Sequence, residues 1–345
     1  MMSQKKINDT RSEYILSICI PTYNRSLYLK RLLESLVHQI NDNNLPVEIL
    51  ISDNSSTDNT SFLCEDYSKK FGFVHYSKNL KNLGPDKNFA KVFYSARGRF
   101  VWVMGDDDDI IDNGLQKLIP LLLREQNSAI IYLEPKAISG DNKKRSNYKM
   151  GTNKELDFCI FNYNESFAKA VGIYFTFISS IIINKALYPI TLPMMDKLVG
   201  THLLQLSWIF QALQKGNKFI YVKKPFVIGE PDNSSGYNIF EVFSENLSRI
   251  AEHYFMNDPK ILTSIKRASL YFVIPFMYDR QISKKISKNF SLNNGIDISN
   301  SVYKDIPEYH YFFKHVLKIP YLGITTCYAI RFFRKVLKYI RRCFY

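Results

Sequence analysis

Short apolar runs alternate with amphipathic helical patterns over the first 135 residues, and this alternation restricts the fold more than any other feature of the chain. Tyr14–Ile20, Val47–Ser52, Phe73–Tyr76, Phe100–Met104 and Ala129–Leu133 read as largely apolar strands. Between them, Leu29, Leu32, Leu33, Leu36 and Val37 share one face of a helix capped by Ser26, and a second helix is expected over about Thr57–Lys70. A third follows the Gly84-Pro85 turn through Phe89, Val92, Phe93 and Ala96, and a fourth follows Asp112-Asn113-Gly114 through Leu115, Leu118, Leu121 and Leu122. Such strands, separated by helices with one apolar face, form a mostly parallel sheet covered on both sides. Ligands of such sheets bind beyond the carboxyl ends of the strands.

The rest of the chain is less regular. Lys136–Lys154 reads as a polar loop, Thr176–Ile183 as β-rich, Leu203–Leu213 as a helix, and Phe219–Val222 and Pro225–Ile228 as two strands. Pro231–Asn238 reads as a linker, after which helical patterns dominate. At roughly 150 residues per domain, 345 residues suggest about two units. They are expected at 1–230, an α/β domain, and 231–345, a helical region.

Three strand ends carry polar clusters: Pro21-Thr22-Tyr23-Asn24-Arg25, Asp53-Asn54-Ser55-Ser56-Thr57-Asp58 and Gly105-Asp106-Asp107-Asp108-Asp109. Consecutive carboxylates repel one another. A hard divalent cation relieves that repulsion, and Mg²⁺ or Mn²⁺ takes one or two carboxylates together with substrate phosphates. The competing reading is an acidic helix start favoured by the helix dipole. Asp53 suits a hydrogen bond from a pyrimidine imino group or a ribose hydroxyl; its alternative is an Asx-type turn. Asp58 suits a helix cap better than a ligand. No GxGxxG or GxxxxGK occurs, which argues against nicotinamide-binding and P-loop architectures and favours a phosphate held through a metal.

Composition excludes a disordered or collagenous chain, at 46% hydrophobic and 23% charged. The longest uncharged stretch, Leu198–Gln214, is polar-interrupted and too short to span a bilayer, which needs about 20 apolar residues. The N-terminus lacks the apolar segment of a secretory signal. Five cysteines without CxxC spacing read as reduced packing residues in a cytoplasmic setting. Eight bases and no acids fall in 309–345, so the tail carries eight of the fourteen net positive charges. From Ala329 onward, apolar residues recur at helical spacing with Arg and Lys between them. A basic amphipathic helix suits an anionic membrane surface, with plain docking on its own domain as the alternative and no nucleic acid expected.

Four segments in order, SICIPTYNRSLYLKRLLESL, VEILISDNSSTDNT, NLKNLGPDKNFAKVFYSARGRFVWVMGDDDD and DNGLQKL, resemble family 2 glycosyltransferases of the GT-A fold, over about Ile15–Leu133. The Gly-Asp-Asp-Asp variant is similar to bacterial surface-polysaccharide enzymes of the abequosyltransferase type. The resemblance implies an inverting transferase that uses a nucleotide-sugar and Mn²⁺ or Mg²⁺. It implies that Pro21, Thr22 and Tyr23, with Asn24 and Arg25 beside them, border the nucleotide. Asp53 then meets the base with Asn54 adjacent; Asn82, Gly84 and Asn88 lie near the nucleotide; and Asp106, Asp107 and Asp108 cover the Asp-x-Asp position. Asp106 and Asp108 are the expected metal ligands, and Asp106 and Asp107 also face the donor. Two departures stand out. Gly105 replaces the family's usual first Asp, and the second half has no Glu-Asp pair, leaving Asp196 and His202 as candidates for the base that deprotonates the acceptor. The acceptor is expected to be a glycan or lipid-linked glycan, and the enzyme to be peripheral on the inner face of the plasma membrane. A non-catalytic nucleotide-sugar or glycan-binding protein on the same fold is the alternative.

Overall fold

A computed structural model describes residues 14–137, 155–187, 196–229, 236–283, 290–291, 294–316 and 325. In chain order its first half reads β1 (Leu16–Thr22), α1 (Ser26–Asn41), β2 (Val47–Asp53), α2 (Thr60–Lys70), β3 (Val74–Lys78), α3 (Pro85–Ser95), β4 (Phe100–Val103), β5 (Asp109–Ile110) and α4 (Gly114–Arg124). Then come β6 (Ile130–Ala137), β7 (Phe158–Phe161), α5 (Asn164–Val171), β8 (Ile181–Asn184), α6 (Leu206–Lys215) and β9 (Phe219–Gly229). A π-helical stretch, Glu241–Asn246, leads into α7 (Leu247–Phe255), α8 (Pro259–Ser283) and α9 (Gly295–Val302).

The described strands form a nine-stranded sheet in the order β3-β2-β1-β4-β8-β6-β9-β5, with β7 also on β9. The expected parallel arrangement holds for β3-β2-β1-β4. The other half is mixed: β8 runs antiparallel to both β4 and β6, and β7 and β5 are antiparallel to β9. An apolar run such as Ile181–Ile183 reads alike in either direction, so only the chain path sets its orientation. Thr176–Ser180, expected as strand, forms 3₁₀ turns before β8. Phe219–Gly229 is one strand rather than two, irregularly paired where Leu133 gives way to Pro135.

Strand β1 continues through Pro21 instead of ending there. Cys19 directs its carbonyl to Met104 on the β4 side, and Pro21, two residues on, faces the same side beyond the last β1–β4 pair, Cys19 with Val103. The missing proline N–H therefore costs no ladder bond. Helix α1 takes its cap from outside rather than from Ser26: Asp58 accepts from the Ser26 N–H at 3.1 Å and from Thr60 N–H and Oγ1 at 3.0 and 2.5 Å.

The pleat divides the core. Leu16, Ile18, Ile20, Phe100, Trp102 and Met104 pack against α1 and α4, while Cys19, Val101 and Val103 pack against α3 and α6 on the other face. Val242, Leu247, Ile250, Ala251 and Ile265 join that second core, and a third cluster from Ile239 to Phe313 ties the C-terminal helices together. Trp208 stacks on Phe93 at 4.2 Å, and Trp102 and Trp208 are both buried, so the two tryptophans are core residues. The basic periodicity after Ala329 lies outside the described residues, as does most of Pro231–Asn238. Among the described residues no helix is long and apolar enough to cross a membrane.

Candidate active site

The strand order sets the site. The chain runs outward from β1 through β2 to β3, then returns to place β4 on the other side of β1. A crevice opens at such a reversal, beyond the carboxyl ends of the two strands. Thr22–Arg25 follow β1 and Gly105–Asp108 follow β4, so two of the three polar clusters meet there. Thr22 Oγ1 donates to Asp106 Oδ2 at 2.7 Å, joining the two strand ends directly.

Arg25 sits over the acids. Its guanidinium reaches Asp106 Oδ1 at 3.1 Å and Asp107 Oδ2 at 2.6 Å, and Arg31 donates to the Asp107 carbonyl at 2.6 Å. Asp108 Oδ2 accepts from Ser179 Oγ at 2.5 Å, and the same hydroxyl accepts from the Gly105 N–H at 2.9 Å. Burial pushes the Asp106 carboxyl up to about 6, with Arg25 opposing the rise and Asp107 adding to it. Asp109 stands apart from the other three, paired through β5 with Ile228 on β9.

Gly105 has a steric reason to lack a side chain. A Cβ there would lie 3.0 Å from both Asp107 Oδ1 and Asp108 Oδ2. Those two oxygens therefore flank one small space that the family's usual aspartate would fill. The donors around it are hard carboxylate oxygens, which fit Mg²⁺ or Mn²⁺. Among the described residues no group of three or more His, Cys, Asp or Glu forms a metal cage. A cation held there would have to complete its shell with substrate phosphate and water.

The second cluster lies beside the first. Asn54 donates to Asn82 Oδ1 at 2.9 Å and to the Gly84 carbonyl at 3.1 Å, and accepts from the Leu83 N–H at 2.8 Å. Asn88 bridges Ser52 and Asn79. These asparagines pin the Gly84 turn, whose φ of 81° calls for glycine, and with it the start of α3. Asp53 underlies them at 0% exposure. Its carboxylate accepts from Ser56 N–H at 2.8 Å and from Ser61 Oγ and Tyr76 OH at 3.0 Å each, the turn-forming alternative in the sequence. Asn24, at φ 53°, accepts from the Thr57 N–H and so ties the first cluster to the second.

A cleft of about 2740 Å³ opens over these elements. Pro21, Thr22, Tyr23, Arg25, Asn54, Asn82, Asn88 and Asp106–Asp108 line it. Glu134, Lys136, Tyr163, Tyr174, Lys223, Arg267 and Tyr271 line it as well. Asp53, Asn24 and Gly84 support the wall without lining it. The two base candidates differ: His202 lines the cleft and is exposed, whereas Asp196 is exposed but does not line it. His202 has φ 59°, a left-handed backbone that few non-glycine residues adopt.

Four residues in or around the cleft carry no local signal in the sequence. Ser179 stands 71 residues from its partner Asp108. Arg31 looks like the solvent face of α1, Glu134 like the interior of a strand, and Asp86 like an ordinary acidic residue in a helix's first turn. Asp86 is 8% exposed, and its Oδ2 accepts from the Gly200 N–H at 2.6 Å, 114 residues away. Burial raises the Asp86 carboxyl above its usual range, against the pull of the Gly200 amide and of the nearby His202 imidazole and backbone.

The sequence profile described as Glycosyl transferase family 2 matches residues 17–183. The abequosyltransferase RfbV of Salmonella typhimurium is 32% identical over 233 residues, covering 64% of this chain and 68% of that protein. The chain belongs to glycosyltransferase family 2. A GalNAc(5)-diNAcBac-PP-undecaprenol beta-1,3-glucosyltransferase of Campylobacter jejuni is 30% identical over 106 residues, 30% of the transferase and 33% of its own length. In fold, the transferase resembles residues 1–349 of Staphylococcus aureus TarS, with a TM-score of 0.57 and 20% identity over 96% of this chain and 92% of that one. The transferase thus has the expected GT-A architecture: a sheet flanked by helices and a helical C-terminal region.

Proposed function

We propose that the chain is an inverting, metal-dependent transferase that moves a sugar from a nucleotide-sugar to a glycan or lipid-linked glycan acceptor in surface-polysaccharide synthesis. The observation that carries this reading is the Thr22–Asp106 bridge, which joins the ends of β1 and β4 at the floor of a cleft that His202 also lines. Pro21, Thr22, Tyr23, Arg25, Asn54, Asn82 and Asn88 border the donor nucleotide, with Asn24, Asp53 and Gly84 fixing the loops behind them. Asp106 and Asp108, with Asp107 beside them, would hold Mn²⁺ or Mg²⁺. Bound there, the cation neutralises negative charge on the departing diphosphate. His202 takes the proton of the acceptor hydroxyl as the acceptor oxygen bonds to the anomeric carbon. The bond from that carbon to the diphosphate oxygen breaks, and the nucleoside diphosphate leaves with the electron pair.

The relatives support the substrate class. The names of the RfbV and Campylobacter proteins specify sugar transfer, the latter to an undecaprenol-linked acceptor. TarS 1–349 has been solved with UDP-GlcNAc. The basic pattern of 309–345 supports a peripheral position on an anionic membrane, at the cytoplasmic face where a lipid-linked acceptor would be presented.

The test is release of nucleoside diphosphate from UDP-, GDP-, CDP- and dTDP-sugars with Mn²⁺, using water as the acceptor. One nucleotide class should turn over, and Asp108→Asn should reduce that rate by about 100-fold or more, the scale of a lost transition-state charge contact. No turnover of any donor, or an unchanged rate in Asp108→Asn, overturns the reading.

A further inference from the structure

We propose that Asp86 is the positioning residue for His202, so that the Asn-rich turn after β3 builds the acceptor side of the site as well as the donor side. The inference rests on the reading of His202 as the base. It starts from strain. A non-glycine residue at φ 59° is held there only when its surroundings determine its backbone from several sides. Three ties do so here. Asp86 receives the amide of Gly200 at 2.6 Å, the Asn246 side chain donates to the Thr201 carbonyl at 3.3 Å, and Thr201 Oγ1 donates to the Leu198 carbonyl at 2.6 Å. Gly200, at φ 90° with open space where a Cβ would stand, turns the loop so that its amide faces the carboxylate two residues before His202.

Asp86 differs from the other ties because of where it comes from. It occupies the first turn of α3, directly after the Gly84 turn that Asn54 and Asn82 hold, and two residues before Asn88. Those asparagines fix the helix start by hydrogen bonds to β2 and its loop, and Asp86 extends that order across the cleft wall to the loop bearing the base. A buried carboxylate bonded to a backbone amide tolerates little displacement, because an unpaired position costs its full desolvation. The imidazole is thus presented to the cleft from a loop registered on the same turn that borders the donor. Effective general-base catalysis requires such registration, since the base must lie within hydrogen-bond reach of the hydroxyl it deprotonates.

Two measurements test this. In the full chain without ligand, amide hydrogen exchange should show Gly200 protected, and Asp86→Ala should increase its exchange by at least tenfold while leaving the amides of β1 and β2 unchanged. In the donor-hydrolysis assay, with the sugar nucleotide found to turn over, Asp86→Ala should lower kcat by about 10- to 100-fold with KM for the donor within about twofold. His202→Gly, which suits the left-handed backbone, should lower kcat at least as far, and Asp86→Ala added to it should cost nothing more. If His202→Gly retains the wild-type kcat, the base assignment is wrong. If His202→Gly is impaired while Asp86→Ala keeps both its rate and its protection, or if the two losses multiply, the positioning role is wrong and the base assignment stands.

Discussion

At the scale of single residues, the acidic cluster is held by compensation. Asp106 is 5% exposed and pushed up to about 6, so in the folded chain it keeps a proton that the unfolded chain, with an ordinary value near 3.8, has already released. Between these values the folded state binds more protons, so this group's contribution to stability falls as pH rises from about 4 to about 6 and stays lost above that. The span corresponds to about 3 kcal/mol at most. Urea unfolding of the chelator-treated protein at pH 4.5 and pH 7 should show this loss, and Asp106→Asn should flatten it; an equal slope in the variant would remove Asp106 as its source. The cluster itself was legible in the sequence because four adjacent carboxylates are a local fact. Its partners were not. The Ser179 and Thr22 hydroxyls reach it across 71 and 84 residues, and no spacing rule connects residues that only the sheet brings together. The same distance hid Asp86, whose place in a helix's first turn already had an adequate local explanation.

At the scale of elements, the sequence reported what was periodic and missed what depended on neighbours. Three of the four helices of the first half are plain from their apolar faces, whereas the direction of β8 and the continuity of β9 are decided by pairing alone. Helix α3 shows how such pairing stabilises an element that local preference leaves incomplete. Its C-terminal carbonyls receive no glycine cap. Instead Lys185, just past β8, donates from Nζ to the carbonyls of Phe93, Tyr94 and Ala96 at 3.1, 2.9 and 2.9 Å. A cation there satisfies orphan acceptors and complements the helix dipole. Replacing it with an uncharged chain of similar length removes all three of these bonds. Lys185→Met should therefore lower the unfolding free energy by about 2 kcal/mol, the middle of the range for hydrogen bonds to charged groups. Urea titration of the purified variant measures this, and a change under about 0.5 kcal/mol would mean that water replaces the ammonium without loss.

At the scale of the whole molecule, the charge is divided as the chain is. The helices after Tyr237 complete the fold: they bury Val242, Leu247 and Ile250 against the sheet's second face, and Arg267 and Tyr271 line the cleft. Their third core closes at Phe313. Among the described residues the last member of the core clusters is Phe313, and six of the eight tail bases lie beyond Ala329. Ending the chain at 316 should leave donor hydrolysis within about twofold, because every described residue of the cleft is kept. It should abolish sedimentation with phosphatidylglycerol-rich vesicles, for which each base near the surface is worth about 1 kcal/mol. Attraction of this kind is screened over about 10 Å at 0.1 M salt, so binding of the full chain should also weaken steeply as salt is added. The apolar residues at helical spacing should leave a remainder that salt does not remove, distinguishing an inserted amphipathic face from a purely electrostatic contact. Equal sedimentation of the full and shortened chains would detach the tail from the membrane while leaving the transfer chemistry untouched.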